Sequence, residues 1–175
     1  MRGDIGDRSE GVDPLESTYE RALDQALRYL GYRARSIDET RARLARSGHD
    51  EGVIDAVITR LLELGYLDDE AFALALARDL LNSPRPRGER AVLARLRKSG
   101  VDDLTSRRAL ESALEESEES PRDRVLRAAE RWCRRLRPGE DRARARRRLW
   151  GHLLRAGFDS DLTREAVDIL LPRSE

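Results

Sequence analysis

Apolar residues along this chain recur at helical spacing, and no alternating run is long enough to predict a strand. Tyr19, Leu23, Leu27 and Leu30 form a first stripe. Its helix has a start signal in Asp13-Pro14-Leu15-Glu16, with Asp as cap, Pro at the first helical position and Glu at the third. Phe72, Leu76 and Leu80 form a second stripe, in a helix predicted from Asp69 to about Leu81. Val125, Ala129, Trp132 and Leu136 form a third, in a helix opened by Ser120-Pro121 and stopped by Pro138-Gly139.

Each of these helices is followed by a recurring pattern. Leu44, Leu96 and Leu153 each stand four positions before a glycine: Gly48, Gly100 and Gly157. Each glycine is followed by His49, Val101 or Phe158, and then by Asp50, Asp102 or Asp159. Ten positions after the glycines come Ile58, Leu110 and Val167. The pattern returns at intervals of roughly 50–60 residues, which marks a repeat architecture. Glycine takes the left-handed conformation that ends a helix, and the aspartate can cap the next one. The unit is therefore a helical hairpin preceded by one more helix.

The expected fold is all-α, an elongated tandem array of three-helix repeats at 14–65, 66–118 and 119–172, after a disordered tail at 1–13. Breaks fall at Asn82–Gly88, at the acidic Glu115–Ser120 stretch and at Pro138-Gly139. One compact bundle is the competing arrangement.

Composition agrees with thin helical layers: 39% of residues are charged and 5% aromatic, too few large apolar groups for one spherical core. The formal net charge is +0, so charge matters through its distribution. Lys98 is the only lysine among the basic residues. Arginine suits bidentate contacts to carboxylate or phosphate, although a GC-rich genome would produce the same bias. Cys133 is the only cysteine, so no intrachain disulfide can form. The start of the chain has no apolar signal core and no stretch approaches a membrane span, so a soluble, cytoplasmic protein is expected.

Several segments, taken in order, carry a family signature. Arg33-Ala34-Arg35-Ser36-Ile37-Asp38-Glu39, Gly65-Tyr66-Leu67-Asp68-Asp69-Glu70-Ala71-Phe72-Ala73, Pro86-Arg87-Gly88 with Leu93 and Leu96, Leu96-Arg97-Lys98-Ser99-Gly100-Val101 and Gly157-Phe158-Asp159 together resemble the RecX family of bacterial recombinase regulators. The resemblance runs from about Ala26 to Leu171. It departs at Thr40, where the family usually has Leu, and at Gly31, which is expected to interrupt the first helix. The resemblance implies binding to the RecA filament on single-stranded DNA, typically in its helical groove, and inhibition of ATPase, recombinase and coprotease activities. In physical terms, Ser36-x-x-Glu39 is a capping box, and Tyr66 and Leu67 are expected to pack beneath the turn at Gly65.

No catalytic residue, cofactor or metal is expected. His49 and His152 lack ligand spacing, Asp68-Asp69 lacks partner ligands, and Cys133 beside Trp132 reads as packed. Charge, by contrast, is segregated: second helices are basic and third helices lean acidic. The residues expected to meet a partner or DNA phosphates are Arg41, Arg43, Arg87, Arg90, Arg95, Lys98, Arg144, Arg147 and Arg148. On one helix, positions 87, 90 and 94 would share a side. Pairing between basic and acidic helices within the chain is the alternative use of the same charges. The helix after each glycine turn carries carboxylates that phosphates would repel, which argues against helix-turn-helix reading of a DNA sequence. A monomer is expected, with RecA and possible single- or double-stranded DNA as partners; a helical scaffold or nucleic-acid module with another partner is the alternative function.

Overall fold

Nine α-helices are present in the described residues, 14–173, of this computed structural model. They are α1 (Pro14–Tyr32), α2 (Ile37–Arg46), α3 (Glu51–Glu63), α4 (Asp69–Asn82), α5 (Glu89–Lys98), α6 (Asp103–Glu115), α7 (Pro121–Cys133), α8 (Arg142–Arg155) and α9 (Ser160–Leu170). No strand occurs among the described residues. The expected tail at 1–13, including the Asp13 cap, lies outside them.

The repeated glycine turns have the geometry their sequence predicts. Gly48, Gly100 and Gly157 have φ of 84°, 81° and 88°. Behind each, two backbone bonds close the preceding helix: Gly48 N to Ala45 O and His49 N to Leu44 O, Gly100 N to Arg97 O and Val101 N to Leu96 O, Gly157 N to Leu154 O and Phe158 N to Leu153 O. This double closure is the Schellman arrangement, which only a left-handed residue permits at low cost. It turns the chain so that Leu44, Leu96 and Leu153, all fully buried, meet Ile58, Leu110 and Val167. Asp102 and Asp159 then cap α6 and α9 through their carboxylates, whereas Asp50 holds the cap position of α3 without a side-chain bond.

Each triplet of helices encloses its own hydrophobic cluster. In all three, the first helix packs chiefly on the third: α1 on α3, α4 on α6 and α7 on α9. The chain divides into two compact units, Met1–Leu67 and Asp68–Glu175. The first unit holds one triplet and the second holds two.

The helix faces differ in detail from the periodic expectation. Leu27 is exposed, and the centre of α1 is made by Ala22 and Ala26, with Tyr19, Leu23 and Leu30 at the flanks. In α4 the buried line is Phe72, Ala73, Ala77 and Leu81, while Leu76 and Leu80 only border it. Small alanines let neighbouring helices approach closely, which moves the seam off the larger residues. Gly31 does not interrupt α1, which runs to Tyr32. The third stripe stops sooner than expected: α7 ends at Cys133, and Leu136 packs from the following turn. Leu67 is buried beneath the Gly65 turn, but Tyr66 points outward, 58% exposed. Thr40 is fully buried and bonds the Ser36 carbonyl at 2.9 Å, so the hydroxyl is satisfied where a leucine would otherwise sit.

Within Asp68–Glu175, the two triplets are joined by backbone. Gly88 N donates to Ala156 O at 2.9 Å and Arg90 N to Gly157 O at 3.3 Å. A Cβ added at Gly88 would collide with the backbone of Gly157, and one at Gly157 with Ala91, so the approach requires both glycines. Two arginines of α7 lock the same junction. Arg127 forks onto both carboxylate oxygens of Glu119, at 2.7 and 2.8 Å, and reaches the Ser83 carbonyl at 2.9 Å. Arg124, only 2% exposed, donates to Ser117 Oγ and the Glu119 carbonyl. Burial lowers its pKa, against the opposing pull of Glu119 and Glu89.

Candidate partner-binding surface

The cations singled out by sequence divide into two sets. Four are engaged inside the chain. Arg41 on α2 pairs with Asp55 and, at 3.9 Å, with Glu51 on α3. Arg90 donates to the Phe158 carbonyl at 3.0 Å and lies 4.0 Å from Asp159, so it serves the junction between triplets. Arg95 is half-buried and donates to Ser99 Oγ. Arg148 pairs with Glu140 and lies over the Trp132 ring at 5.4 Å.

The other five are exposed and form no ion pair among the described residues: Arg43, Arg87, Lys98, Arg144 and Arg147. Arg43 sits 5.9 Å from the Tyr29 ring, in a groove shared with Arg21, Arg28 and His49. Arg144 and Arg147 stand in the first turns of α8, beside its cap Asp141. The cap's bond from the Arg144 amide, aided by both guanidinium groups, lowers the Asp141 pKa. Arg87 does not share a helix face with Arg90, because Gly88 is the cap of α5 and the helix begins at Glu89. Arg87 belongs instead to the connection that follows α4.

Pairing between second and third helices therefore occurs in every triplet: Arg41 with Asp55, Arg97 with Asp103 and Arg146 with Asp168. These pairs absorb part of the basic charge; the exposed Arg97–Asp103 pair contributes little to stability, whereas Arg146 is half-buried where it meets Asp168. Of the nine, the cations left unpaired among the described residues are Arg43 on α2, Arg87 ahead of α5, Lys98 on α5, and Arg144 with Arg147 at the start of α8. Sequence reasoning missed Arg124 and Arg127, which bind Ser117 and Glu119 in the connection just before α7, while Arg127 also reaches the Leu81 and Ser83 carbonyls of the preceding triplet. The only sequence signal for them is Glu119 beside the cap Ser120.

Among the described residues no group of His, Cys, Asp or Glu could hold a metal ion. No described helix is long and apolar enough to cross a membrane. Burial, reinforced by Glu130, raises the pKa of the Cys133 thiol, which opposes nucleophilic use. His49, in the turn between α2 and α3, bonds Gln25 of α1 at 2.9 Å, a structural contact.

Comparison with known proteins gives a consistent picture. Residues 22–61 match the family model for the first three-helix domain of RecX. The chain is 32% identical over 169 residues to "Regulatory protein RecX" of Mycolicibacterium smegmatis, covering 96% of this chain and 88% of that protein. It is 34% identical over 156 residues to the protein of the same name from Prosthecochloris aestuarii, covering 89% and 97%. The crystal structure of RecX from Lactobacillus salivarius superposes with a TM-score of 0.70 at 22% identity, over 88% of this chain and 97% of that one. A second crystal structure of regulatory protein RecX superposes with a TM-score of 0.75 at 20% identity, over 96% and 82%.

Proposed function

Because the chain belongs to the RecX family of regulatory proteins, we propose that it binds the RecA filament on single-stranded DNA and restrains it. It lowers ATP hydrolysis, strand exchange and coprotease activity without catalysing a reaction, and acts as a cytoplasmic monomer. The observation that carries this reading is similarity to proteins named as regulatory RecX over nearly the whole chain, including all three glycine turns.

The physical contribution comes from cations that no carboxylate among the described residues occupies. Lys98, Arg144 and Arg147 are exposed on α5 and α8, and Arg43 on α2. A filament presents phosphate and acidic protein surface over a long path. Several weak contacts made by one folded chain reinforce each other, because each one formed raises the effective concentration of the next.

Co-sedimentation with RecA, with and without single-stranded DNA, tests the proposal. Binding that needs RecA and strengthens on the filament supports it. Binding to DNA alone supports a nucleic-acid module, and binding to neither supports a scaffold with another partner.

A further inference from the structure

The connection between α4 and α5 carries Arg85 and Arg87 on either side of buried Pro86. It is held from several directions. Arg87 N donates to the Leu80 carbonyl at 3.0 Å, Arg85 N to Ser83 Oγ at 3.2 Å, and Arg127 grips the Ser83 carbonyl. Gly88 is bonded to Ala156 at the end of α8. Opposite this fixed segment, the last turns of α7 and α8 present Arg131, Trp132 and His152, and Arg135 follows in the next turn. Together they line a pocket of about 240 Å³ that contains no carboxylate.

None of Arg85, Arg87, Arg131 or Arg135 has an ion-pair partner among the described residues. Elsewhere in unit Asp68–Glu175, Arg78, Arg97, Arg122, Arg127 and Arg146 hold carboxylates, while Lys98, Arg144 and Arg147 stand on exposed helix positions with no ion pair among the described residues. The pocket differs in gathering four cations without ion pairs beside two aromatic rings. Arg131 Nε is buried with no hydrogen-bond partner among the described residues, a donor left open. His152 is pushed toward its neutral form by burial and by the nearby positive charge of Arg155, Arg87 and Arg135. Its ring and that of Trp132 lie 6.5 Å apart at 32°.

Helix dipoles explain part of this cluster. Arg131 and Arg155 stand in the last turns of α7 and α8, where carbonyl ends favour cations. They do not explain Arg85 and Arg87, which lie on no helix. Gathering like charges around a desolvated donor disfavours the folded state, and no carboxylate lines the pocket to offset it.

We propose that this pocket is a phosphodiester-binding subsite, with Arg85, Arg87, Arg131 and Arg135 holding a phosphate of single-stranded DNA beside the aromatic surface of Trp132 and His152. Planar guanidinium groups bind phosphate oxygens in pairs, and an adjacent aromatic surface offers a stacking platform for a base. That platform favours nucleic acid over an acidic peptide, which would use the charges alone. The pocket is smaller than the usual site for a whole small-molecule ligand of roughly 300–1,000 Å³, and suits one group of a longer chain. The connection is fixed before binding, so little ordering entropy is lost. The subsite deepens the filament-binding proposal by naming the DNA strand as a direct contact, and it rests on that reading for its biological setting alone.

The test is fluorescence anisotropy of a labelled oligothymidylate with the full chain across a salt series. The variant carries Arg85→Gln and Arg87→Gln, both exposed and outside any helix. An equal-charge control carries Arg107→Gln and Arg108→Gln on the exposed face of α6. The pocket variant binds about tenfold more weakly, and its salt dependence falls by about 1.4 in log–log slope, as expected for two lost phosphate contacts. The control stays within about twofold of wild type. Equal weakening in both variants, unchanged binding in the pocket variant, or wild-type binding to polyglutamate but not to oligothymidylate would overturn the subsite. RecA-dependent ATP hydrolysis is followed on the same proteins. Inhibition that persists while the pocket proves irrelevant to DNA rejects the subsite and leaves filament regulation standing. Pocket-dependent DNA binding without inhibition does the reverse.

Discussion

Single residues in this chain take their importance from what packs around them rather than from their type. Gly48 and Gly157 occupy the same motif position with nearly the same φ, 84° and 88°. A Cβ on Gly48 meets nothing within 4 Å, whereas one on Gly157 meets the backbone and side chain of Ala91. Gly48→Ala therefore costs about 1–2 kcal/mol of left-handed strain. Gly157→Ala costs about 2–5 kcal/mol, because collision adds to strain. Native-state hydrogen exchange at Gly88 and Arg90, whose amides bond Ala156 and Gly157, detects the difference: both amides lose protection in the second variant and not in the first.

Arg124 gives a comparable contrast. Its guanidinium is buried and its donors serve Ser117 and the Glu119 carbonyl. Arg124→Ala leaves those acceptors and a void, and lowers stability by about 3 kcal/mol. Arg124→Met keeps the stem and removes the buried charge, and costs less than half of that, since Glu119 retains Arg127. Urea unfolding midpoints of the two variants provide the comparison. Equal losses would show that the guanidinium bonds, not the filled volume, hold the junction.

At the scale of elements, caps and turns were the most legible features. Ser36, Asp68, Ser120 and Asp159 each accept the backbone bond that their positions predict. These signals are local: a short side chain and a few adjacent amides decide them, so sequence suffices. Faces were less legible. Periodicity favoured Leu27, Leu76 and Leu80, but the alanines at 22, 26, 73 and 77 occupy the centres, because interhelical distance is set by both partners. The candidate site was least legible of all. Arg90 looked outward on a helical wheel and is drawn to Phe158 and Asp159, 68 residues away for the backbone contact. The pocket formed by Arg85, Arg87, Arg131 and His152 combines three segments that no local pattern links.

The caps also set a pH response. Backbone bonds from Thr105 and Leu104 lower the Asp102 pKa, and those from Asp161 and Leu162 lower that of Asp159. A carboxyl with a lower pKa in the folded state binds protons more readily once unfolded. Its stabilising contribution is therefore present above the ordinary carboxylate range, near about 4, and is lost as pH falls through the folded value. Melting temperatures decline on acidification below about pH 4. Asp159→Asn keeps an acceptor at the cap and flattens that decline, which thermal melts from neutral to acidic pH measure. A decline as steep as in the wild type would place the acid sensitivity elsewhere.

For the whole molecule, basic and acidic charges cancel in sum but not in place. Internal pairing consumes Arg41, Arg90 and Arg148, so replacing them would disturb the fold and binding together. Arg144 and Arg147 separate the two effects, because both are exposed and form no ion pair among the described residues. Arg144→Glu with Arg147→Glu leaves helicity by circular dichroism close to that of the wild type and weakens filament binding by about tenfold at low salt. The gap narrows as salt rises and screens the contact. Unchanged binding would move the contact to another face.

Steady-state ATP hydrolysis by the host RecA on single-stranded DNA, followed as this protein is added, decides whether it restrains the filament. The rate falls progressively with added protein, and the Arg144→Glu, Arg147→Glu variant needs about tenfold more to reach the same inhibition. A hydrolysis rate that stays constant while co-sedimentation shows the filament saturated with wild-type protein would contradict a restraining role.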